Sequence, residues 1–179
     1  MLGRLMTATL VLLAVGTPAL AQRDNLQVFR DVQQQVLRYP HFTIFDSVNA
    51  RIDSGVVILT GKVTMPYKST AIERRVRKVD GVRTVENRID VLPVSGFDND
   101  LRYAIARAIY GNPAFQGYRS MVNPPIHIIV ERGRVTLEGV VNSHVDRQLA
   151  RSIASSFASF ELNNELKTDA EVAGELETL

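Results

Sequence analysis

A nine-residue pattern that occurs twice is the feature that most constrains how this chain folds. Residues 55–63 and 133–141 carry the same glycine, valine, leucine, glycine and valine at alternate positions, and the copies lie 78 residues apart in a chain of 179. Alternating apolar positions are typical of a β-strand with one buried face. Because the period is too long for a solenoid unit, the sequence predicts two small domains in tandem.

The residues around the pattern predict the same order of elements in both copies. In the first repeat we predict a helix at 26–38, strands at 48–52 and 56–63, a helix at 66–79 and a strand at 85–91. In the second we predict a helix at 98–110, strands at 126–131 and 134–141, a helix at 143–158 and a strand at 160–167. Each repeat is thus an αββαβ unit of the α+β class, in which two helices cover one face of a three-stranded mixed sheet. We set the domain limits at residues 22–93 and 94–168.

Six repeated residues are predicted to have structural roles. Gly55 and Gly133 suit hairpin turns that need a positive φ, whereas Gly61 and Gly139 are expected where a strand ends and a helix follows. Asn87 and Asn164 share a strand face with apolar residues, so we expect them to face the core and to bond the backbone of a neighbouring loop. For the helix ends, we predict Gly81 as a C-cap, and Asp98 or Asn99 as the cap that opens the helix at 98–110.

Residues 1–21 have the features of a signal peptide. Arg4 precedes a short apolar stretch at 7–15, and Ala19-Leu20-Ala21 is a small-residue cleavage site before Gln22. The apolar stretch is shorter than the roughly 20 residues that span a bilayer, although an uncleaved anchor is the alternative. The chain has no cysteine, which excludes disulfides, thiolate metal sites and Cys-linked lipid anchors. We therefore expect an exported, most simply periplasmic, protein without a transmembrane segment after cleavage.

Taken together, the signal peptide, the doubled Gly-x-Val-x-Leu-x-Gly-x-Val strand and the Val-x-Asn-x-Ile ending at 85–89 resemble the BON domain. The resemblance covers residues 26–92 and 97–168, and it is closer in the first copy. There Val79-Asp80-Gly81-Val82 precedes the last strand, whereas Ala158-Ser159-Phe160 lacks the glycine. It implies periplasmic, non-enzymatic domains that bind phospholipid or other envelope components and support the envelope under osmotic stress. It transfers no catalytic residues.

The sequence has no recognisable catalytic or cofactor motif. The three histidines, His41, His127 and His144, lack metal-ligand spacing, and neither a Gly-x-Ser-x-Gly elbow nor a phosphate-binding loop occurs. We therefore expect no enzyme activity, cofactor or metal. His127 lies between Ile126 and Ile128, so its ring is expected on the opposite strand face, toward solvent or a partner.

Charge and one long loop provide the candidate binding residues. The net charge is +6 over residues 22–160 and −5 over residues 161–179. The second predicted helix places four cations opposite its apolar side, and a fifth candidate cation, Lys68, lies one to two turns earlier; the four are Arg74, Arg75, Arg77 and Lys78. Such a face attracts anionic headgroups, but it is also the pattern of an ordinary solvated helix face. Export argues against nucleic acid as the partner.

The loop before the first strand of the second repeat is five residues longer than its counterpart. It contains Phe115, Tyr118, Arg119 and Met121, which suit a bilayer interface or, alternatively, a loop packed over the core. Val56 and Ile58 are predicted on the open sheet face of the first repeat, where the second repeat or a partner would cover them. The acidic tail at 169–179 is expected to be flexible or marginally helical, and it could shield the basic helix.

These features lead to two functional hypotheses. The first is a non-enzymatic exported protein that binds anionic phospholipid or the envelope surface and supports envelope integrity under stress. The alternative is a periplasmic protein-interaction or chaperone-like module that uses the open sheet face of the first domain.

Overall fold

The computed structural model describes residues 24–177, so the predicted signal peptide at 1–21 lies outside it. The first repeat contains α1 (Asn25–Leu37), β1 (Ser47–Asp53), β2 (Val56–Val63), α2 (Pro66–Val76) and β3 (Thr84–Val91). The second contains α3 (Gly96–Gly111), a 3₁₀ turn (Pro113–Phe115), α4 (Gln116–Arg119), β4 (Ile126–Glu131), β5 (Arg134–Val141), α5 (His144–Ala154) and β6 (Glu161–Thr168). The acidic tail forms α6 (Asp169–Glu177). The predicted fold class, two tandem α+β units with mixed sheets, is confirmed.

The two sheets have the same topology and register. β2 is antiparallel to β1 and parallel to β3, and β5 is likewise antiparallel to β4 and parallel to β6. Ala50 lies opposite Leu59, and Ile128 lies opposite Leu137, at the same offset of 78 residues. A parallel pair needs a crossover connection, which α2 and α5 supply.

Each domain has its own apolar core between its helices and one face of its sheet. The inward positions of β2, Val57, Leu59 and Val63, are fully buried against α1 and α2. Burying one such side chain is worth roughly 1.5–3 kcal/mol. In the second domain the core continues into the long loop, because Phe115 and Tyr118 belong to it.

Several element ends differ from the sequence prediction. α2 ends at Val76, with Arg77 as its C-cap, so Gly81 is not the cap; its φ of 91° belongs to the turn that leads into β3. The predicted helix was too long because Val79 continues the apolar spacing, although it reaches the core from this turn. α3 is capped by Ser95, whose side chain accepts a hydrogen bond from the Asp98 N–H, so the prediction of Asp98 or Asn99 was wrong.

Gly61 and Gly139 lie inside β2 and β5 and not at the strand ends. Both have a φ near 120°, and a Cβ at either position would overlap a carbonyl oxygen of the neighbouring chain segment, that of Ser47 or Pro125. Glycine is therefore required for close backbone approach as well as for its conformation.

Asn87 and Asn164 attach the last strand of each domain to its second helix. The Asn87 amide donates to Ser69 Oγ and to Glu73 Oε2, both at 2.9 Å, and Asn164 donates to the Arg147 carbonyl at 3.1 Å. The expected bond to a neighbouring loop is therefore replaced by bonds to α2 and α5.

The segment between α1 and β1 joins the two domains. The Ile128 N–H of β4 donates to the Ile44 carbonyl at 2.7 Å, and the Phe45 ring meets Tyr103 edge-on at 4.8 Å between centroids. Ser47 Oγ donates to Glu138 at 2.5 Å, and Lys62 pairs with Glu131. Val56 and Ile58 of the open face are half-buried, neither fully solvated nor part of the helix-side core.

Within residues 24–177, no helix has both the length and the apolar character needed to cross a bilayer. In the same range, no group of three or more histidine and acidic side chains is arranged to hold a metal ion.

Candidate functional site

Lys68 is buried and does not lie with the other predicted cations. Its side chain is 6 % exposed, and its Nζ lies 2.6 Å from Asp46 Oδ2 and 2.7 Å from Thr64 Oγ1. The prediction of Lys68 as a lipid-binding cation was wrong, because its ammonium is buried and paired with Asp46. Lys68, Ile72 and Val76 are spaced four residues apart, so they share the buried stripe of α2.

The ion pair of Lys68 is completed by a dense set of hydrogen bonds. Asp46 also accepts from the backbone N–H and the hydroxyl of both Thr43 and Thr64, each at 2.8 Å. Burial alone would raise the pKa of Asp46, but the bond from Lys68 and those from the two threonines outweigh burial and hold the pKa below its ordinary value.

The other four predicted cations remain together at the C-terminal end of α2. Arg74, Arg77 and Lys78 are exposed, whereas Arg75 is half-buried with its guanidinium 5.1 Å from the centre of the Tyr39 ring. Arg77 pairs with Glu73 at 2.6 Å, and this bond is the main cause that lowers the pKa of Glu73.

Two exposed rings extend this group, and sequence reasoning missed both. His41 meets Tyr39 edge-on at 5.6 Å and Tyr67 edge-on at 6.0 Å, and Tyr67 is 54 % exposed. We call the set Arg74, Arg75, Arg77, Lys78, His41 and Tyr67 the basic–aromatic surface. The seven-residue spacing of Tyr67 and Arg74 on one helix could have revealed Tyr67. No local pattern reveals His41, because the turn after Pro40 places it.

Phe115 and Tyr118 of the long loop pack inside the second domain. Their rings stack at 5.7 Å, and the Tyr118 hydroxyl donates to Asp146 at 2.9 Å and accepts from the Asn142 N–H at 2.8 Å. The prediction of these two as interfacial anchors was wrong, and the core alternative is correct. Arg119 and Met121 are exposed on the same loop.

A groove of about 370 Å³ lies where the two domains meet. α1 and β1 form one wall, and the other is formed by residues 123–125 together with His127 and the Glu138–Val140 stretch. The lining is mostly apolar, with amide side chains and one carboxylate, that of Glu138. Because its two walls come from different domains, no local sequence pattern could indicate it.

His127 lies in the wall of this groove and faces the first domain. Its ring lies 5.5 Å from that of Phe42, and its buried Nδ1 has no hydrogen-bond partner within residues 24–177. Burial lowers the pKa of His127, against the opposing influence of the Asp46 and Thr43 backbone and of the Glu138 charge.

The acidic tail packs on the second domain. Glu171 pairs with Arg147 of α5 at 3.0 Å, and Glu175 pairs with Lys167 of β6 at 2.7 Å. α6 also lies against β5 and β6. These tail carboxylates therefore pair with cations of the second domain, and shielding of the α2 cations stays a hypothesis.

Comparison with known proteins gives one family. The model of the BON domain matches residues 26–93 and again residues 98–168. BON domain proteins are often periplasmic or envelope-associated, and the domain is generally non-catalytic. No curated protein matches the chain.

Two of the similar solved structures come from one protein. CdsD, a structural protein of the type III secretion system of Chlamydia trachomatis, is 12% identical, with a TM-score of 0.30 over 84% of this chain and 97% of that one. A structure of the CdsD C-terminal domain is 11% identical, with a TM-score of 0.28 over 82% of this chain and 99% of that one.

Proposed function

Starting from the fact that this chain belongs to the BON domain family, we propose that it is an exported, non-enzymatic envelope protein that binds anionic phospholipid. The basic–aromatic surface of the first domain is the binding site. Through this contact the protein supports envelope integrity under stress.

The observation that carries the proposal is that exposed cations and exposed rings are connected through one set of side chains. Arg74, Arg77 and Lys78 are exposed at the end of α2. Their neighbour Arg75 lies over the Tyr39 ring, which contacts His41, and His41 contacts Tyr67. Each Lys or Arg near an anionic bilayer contributes about 1 kcal/mol, and aromatic rings with polar atoms favour the headgroup region. Three cations together correspond to roughly a hundredfold gain in affinity.

Two of the arginines are also held in place. The Tyr39 ring orients Arg75, and Glu73 orients Arg77. Preorganised side chains lose less conformational entropy when they bind. The simpler explanation is that these cations only stabilise the C-terminus of α2, which is worth about 0.3–1 kcal/mol.

Vesicle co-sedimentation at low salt tests the proposal. We compare vesicles of phosphatidylcholine alone with vesicles that contain one-third phosphatidylglycerol. The test variant carries Arg74→Glu, Arg77→Glu and Lys78→Glu. We expect it to bind the anionic vesicles at least about 100-fold more weakly than the wild type, and added salt should weaken wild-type binding.

A matched control carries Arg51→Glu, Arg88→Glu and Arg134→Glu. It has the same charge change, but these residues are exposed on the open sheet faces. We expect its affinity to fall less than about fivefold. Equal losses in the two variants, or no wild-type binding to anionic vesicles, would refute the site.

Export is proposed from the signal peptide pattern at 1–21, with domains at 22–93 and 94–168. Expression in a Gram-negative host and N-terminal sequencing of the periplasmic fraction should give a mature protein that begins at Gln22. An intact N-terminus in the cytoplasmic fraction would contradict export.

A further inference from the structure

The second domain has a binding edge that is already occupied. The edge lies between α3 and β4, and Ile44 and Phe45 of the first domain pack against it. The Ile44 carbonyl accepts a hydrogen bond from the Ile128 N–H, while the Phe45 ring rests on Tyr103 of α3. This edge is thus occupied by two neighbouring apolar side chains and by one backbone hydrogen bond.

The first domain has the corresponding edge between α1 and β1. Ala50 corresponds to Ile128, because both have the same register with the central strand. N–H groups alternate between the two sides of an antiparallel strand, so the Ala50 N–H points away from β2 as the Ile128 N–H points away from β5. No acceptor within residues 24–177 bonds it on that side.

This second edge is uncovered. Ile126, Ile128 and Val130 of β4 are fully buried, whereas their counterparts Val48, Ala50 and Ile52 are only half-buried. The groove of about 370 Å³ opens along Val48 and Ala50, and its volume is within the range of ligand sites. An apolar strip that is covered in one domain is therefore exposed to the groove in the other.

We infer that this groove binds a short segment of a partner protein that presents an aliphatic and an aromatic side chain in succession. A backbone carbonyl of the segment accepts a hydrogen bond from the Ala50 N–H. Ile44 and Phe45, which fill the matching edge of the second domain, indicate the side chains that such a segment would present.

The charges of the lining favour an uncharged occupant. Among residues 24–177, no lysine or arginine lines the groove, and the Glu138 carboxylate in the lining already accepts a hydrogen bond from Ser47 Oγ at 2.5 Å. An anionic lipid would meet a negative charge here with no cation to offset it. The groove is therefore a separate site from the basic–aromatic surface, and the inference does not depend on lipid binding.

The test uses the chain from residue 22 onward and a capped, fluorescently labelled peptide, HFTIFNS, which has the sequence of residues 41–47 with asparagine in place of Asp46 so that it carries no carboxylate. Fluorescence anisotropy should show saturable binding. A peptide with serine in place of the isoleucine and the phenylalanine should bind at least tenfold more weakly.

Variants at Gln33 assign the peptide to the groove. Gln33 is exposed and lines the groove. It follows the buried Val32 of α1 as Ala106 follows the buried Ile105 of α3, so Ala106 is its counterpart in the second domain. Gln33→Trp should weaken peptide binding at least tenfold by filling the groove, and Gln33→Ala should strengthen it. Gln34→Trp, a change at an exposed neighbour outside the lining, is the control and should leave the affinity within twofold.

Amide hydrogen exchange gives a second readout. Exchange at Ala50 should slow when the peptide binds, because its N–H gains an acceptor. The inference is overturned by any of three results: no binding at millimolar peptide, equal effects of Gln33→Trp and Gln34→Trp, or unchanged exchange at Ala50. Binding of dodecyl maltoside in the groove without binding of the peptide would also overturn it, since the site would then be a lipid site.

Discussion

Asp46 and Lys68 form a buried ion pair at the junction of the two domains. Asp46 accepts five hydrogen bonds, from Lys68, Thr43 and Thr64, and both charged side chains are almost inaccessible to solvent. Removing one member of such a pair leaves an uncompensated buried charge. The pair therefore matters for the stability of this region and not for binding at a surface.

We predict that Asp46→Asn lowers the free energy of unfolding by about 3–5 kcal/mol, because the Lys68 ammonium loses its anionic partner. Adding Lys68→Met should restore part of the loss by removing the buried charge. Urea unfolding should be monitored by circular dichroism, because the chain has no tryptophan whose fluorescence could report unfolding. A loss below about 1 kcal/mol for Asp46→Asn would contradict the assignment.

The same pair predicts a loss of stability in acid. The pKa of Asp46 is lower in the folded protein than its ordinary value of about 3.9. The contribution of Asp46 to the free energy of unfolding is therefore complete above about pH 4, and it disappears as the pH falls through the lowered pKa of the folded state. The Asp46→Asn, Lys68→Met double variant should lose less unfolding free energy between pH 4 and pH 2 than the wild type.

At the level of elements, the two domains fix the start of their second helix with different residues. In the first domain, Asp46 bonds the Thr64 N–H and Lys68. In the second, the Tyr118 hydroxyl bonds the Asn142 N–H and Asp146, which lie 78 residues after Thr64 and Lys68. The longer loop of the second repeat is needed to bring Tyr118 to this place, which explains why its aromatic residues are buried.

His127 of β4 is expected to make the free energy of unfolding depend on pH in a second range. Burial holds the pKa of His127 below its ordinary value of about 6.5, although Glu138 and Asp46 lie near enough to oppose the shift. The unfolded chain therefore binds more protons than the folded one, and stability falls as the pH drops below about 6.5.

The free energy of unfolding should be lower at pH 5.5 than at pH 7.5, and the difference should be smaller in His127→Gln. The Asp46 carboxyl titrates below this window and does not contribute. An equal difference in the wild type and in His127→Gln would show that another group causes it.

On the scale of the whole molecule, the domains are joined by packing as well as by the linker. Ile44 and Phe45 insert against the second core, and ion pairs and hydrogen bonds such as Lys62–Glu131 and Ser47–Glu138 border the contact. The contact also forms the inter-domain groove and shields His127.

We predict that Ile44→Ser with Phe45→Ser separates the domains without unfolding either, because both side chains belong to the contact and not to the core of their own domain. Small-angle X-ray scattering should show a larger radius of gyration, and thermal unfolding should resolve into two transitions. Val94→Ser, in the exposed linker, serves as the control and should change neither. Unchanged scattering of the double variant would show that the other contacts are sufficient.

The sequence by itself determined the number of domains, the fold class and the order of their elements. Each of these follows from local periodicity, because a strand or a helix must bury one face wherever it lies. The pattern at 55–63 and its copy at 133–141 were sufficient for this. The sequence also located the exposed cations Arg74, Arg77 and Lys78, since they alternate with the buried residues Val76 and Val79 around the end of α2.

Only the tertiary structure decided which polar and aromatic residues are buried. Lys68 is inside because Asp46, 22 residues earlier, supplies its partner, and Phe115 and Tyr118 are inside because the long loop folds back over its own core. The groove and the environment of His127 arise where one domain packs on the other. Such contacts join residues far apart in the chain, so their energies leave no periodic trace in the sequence.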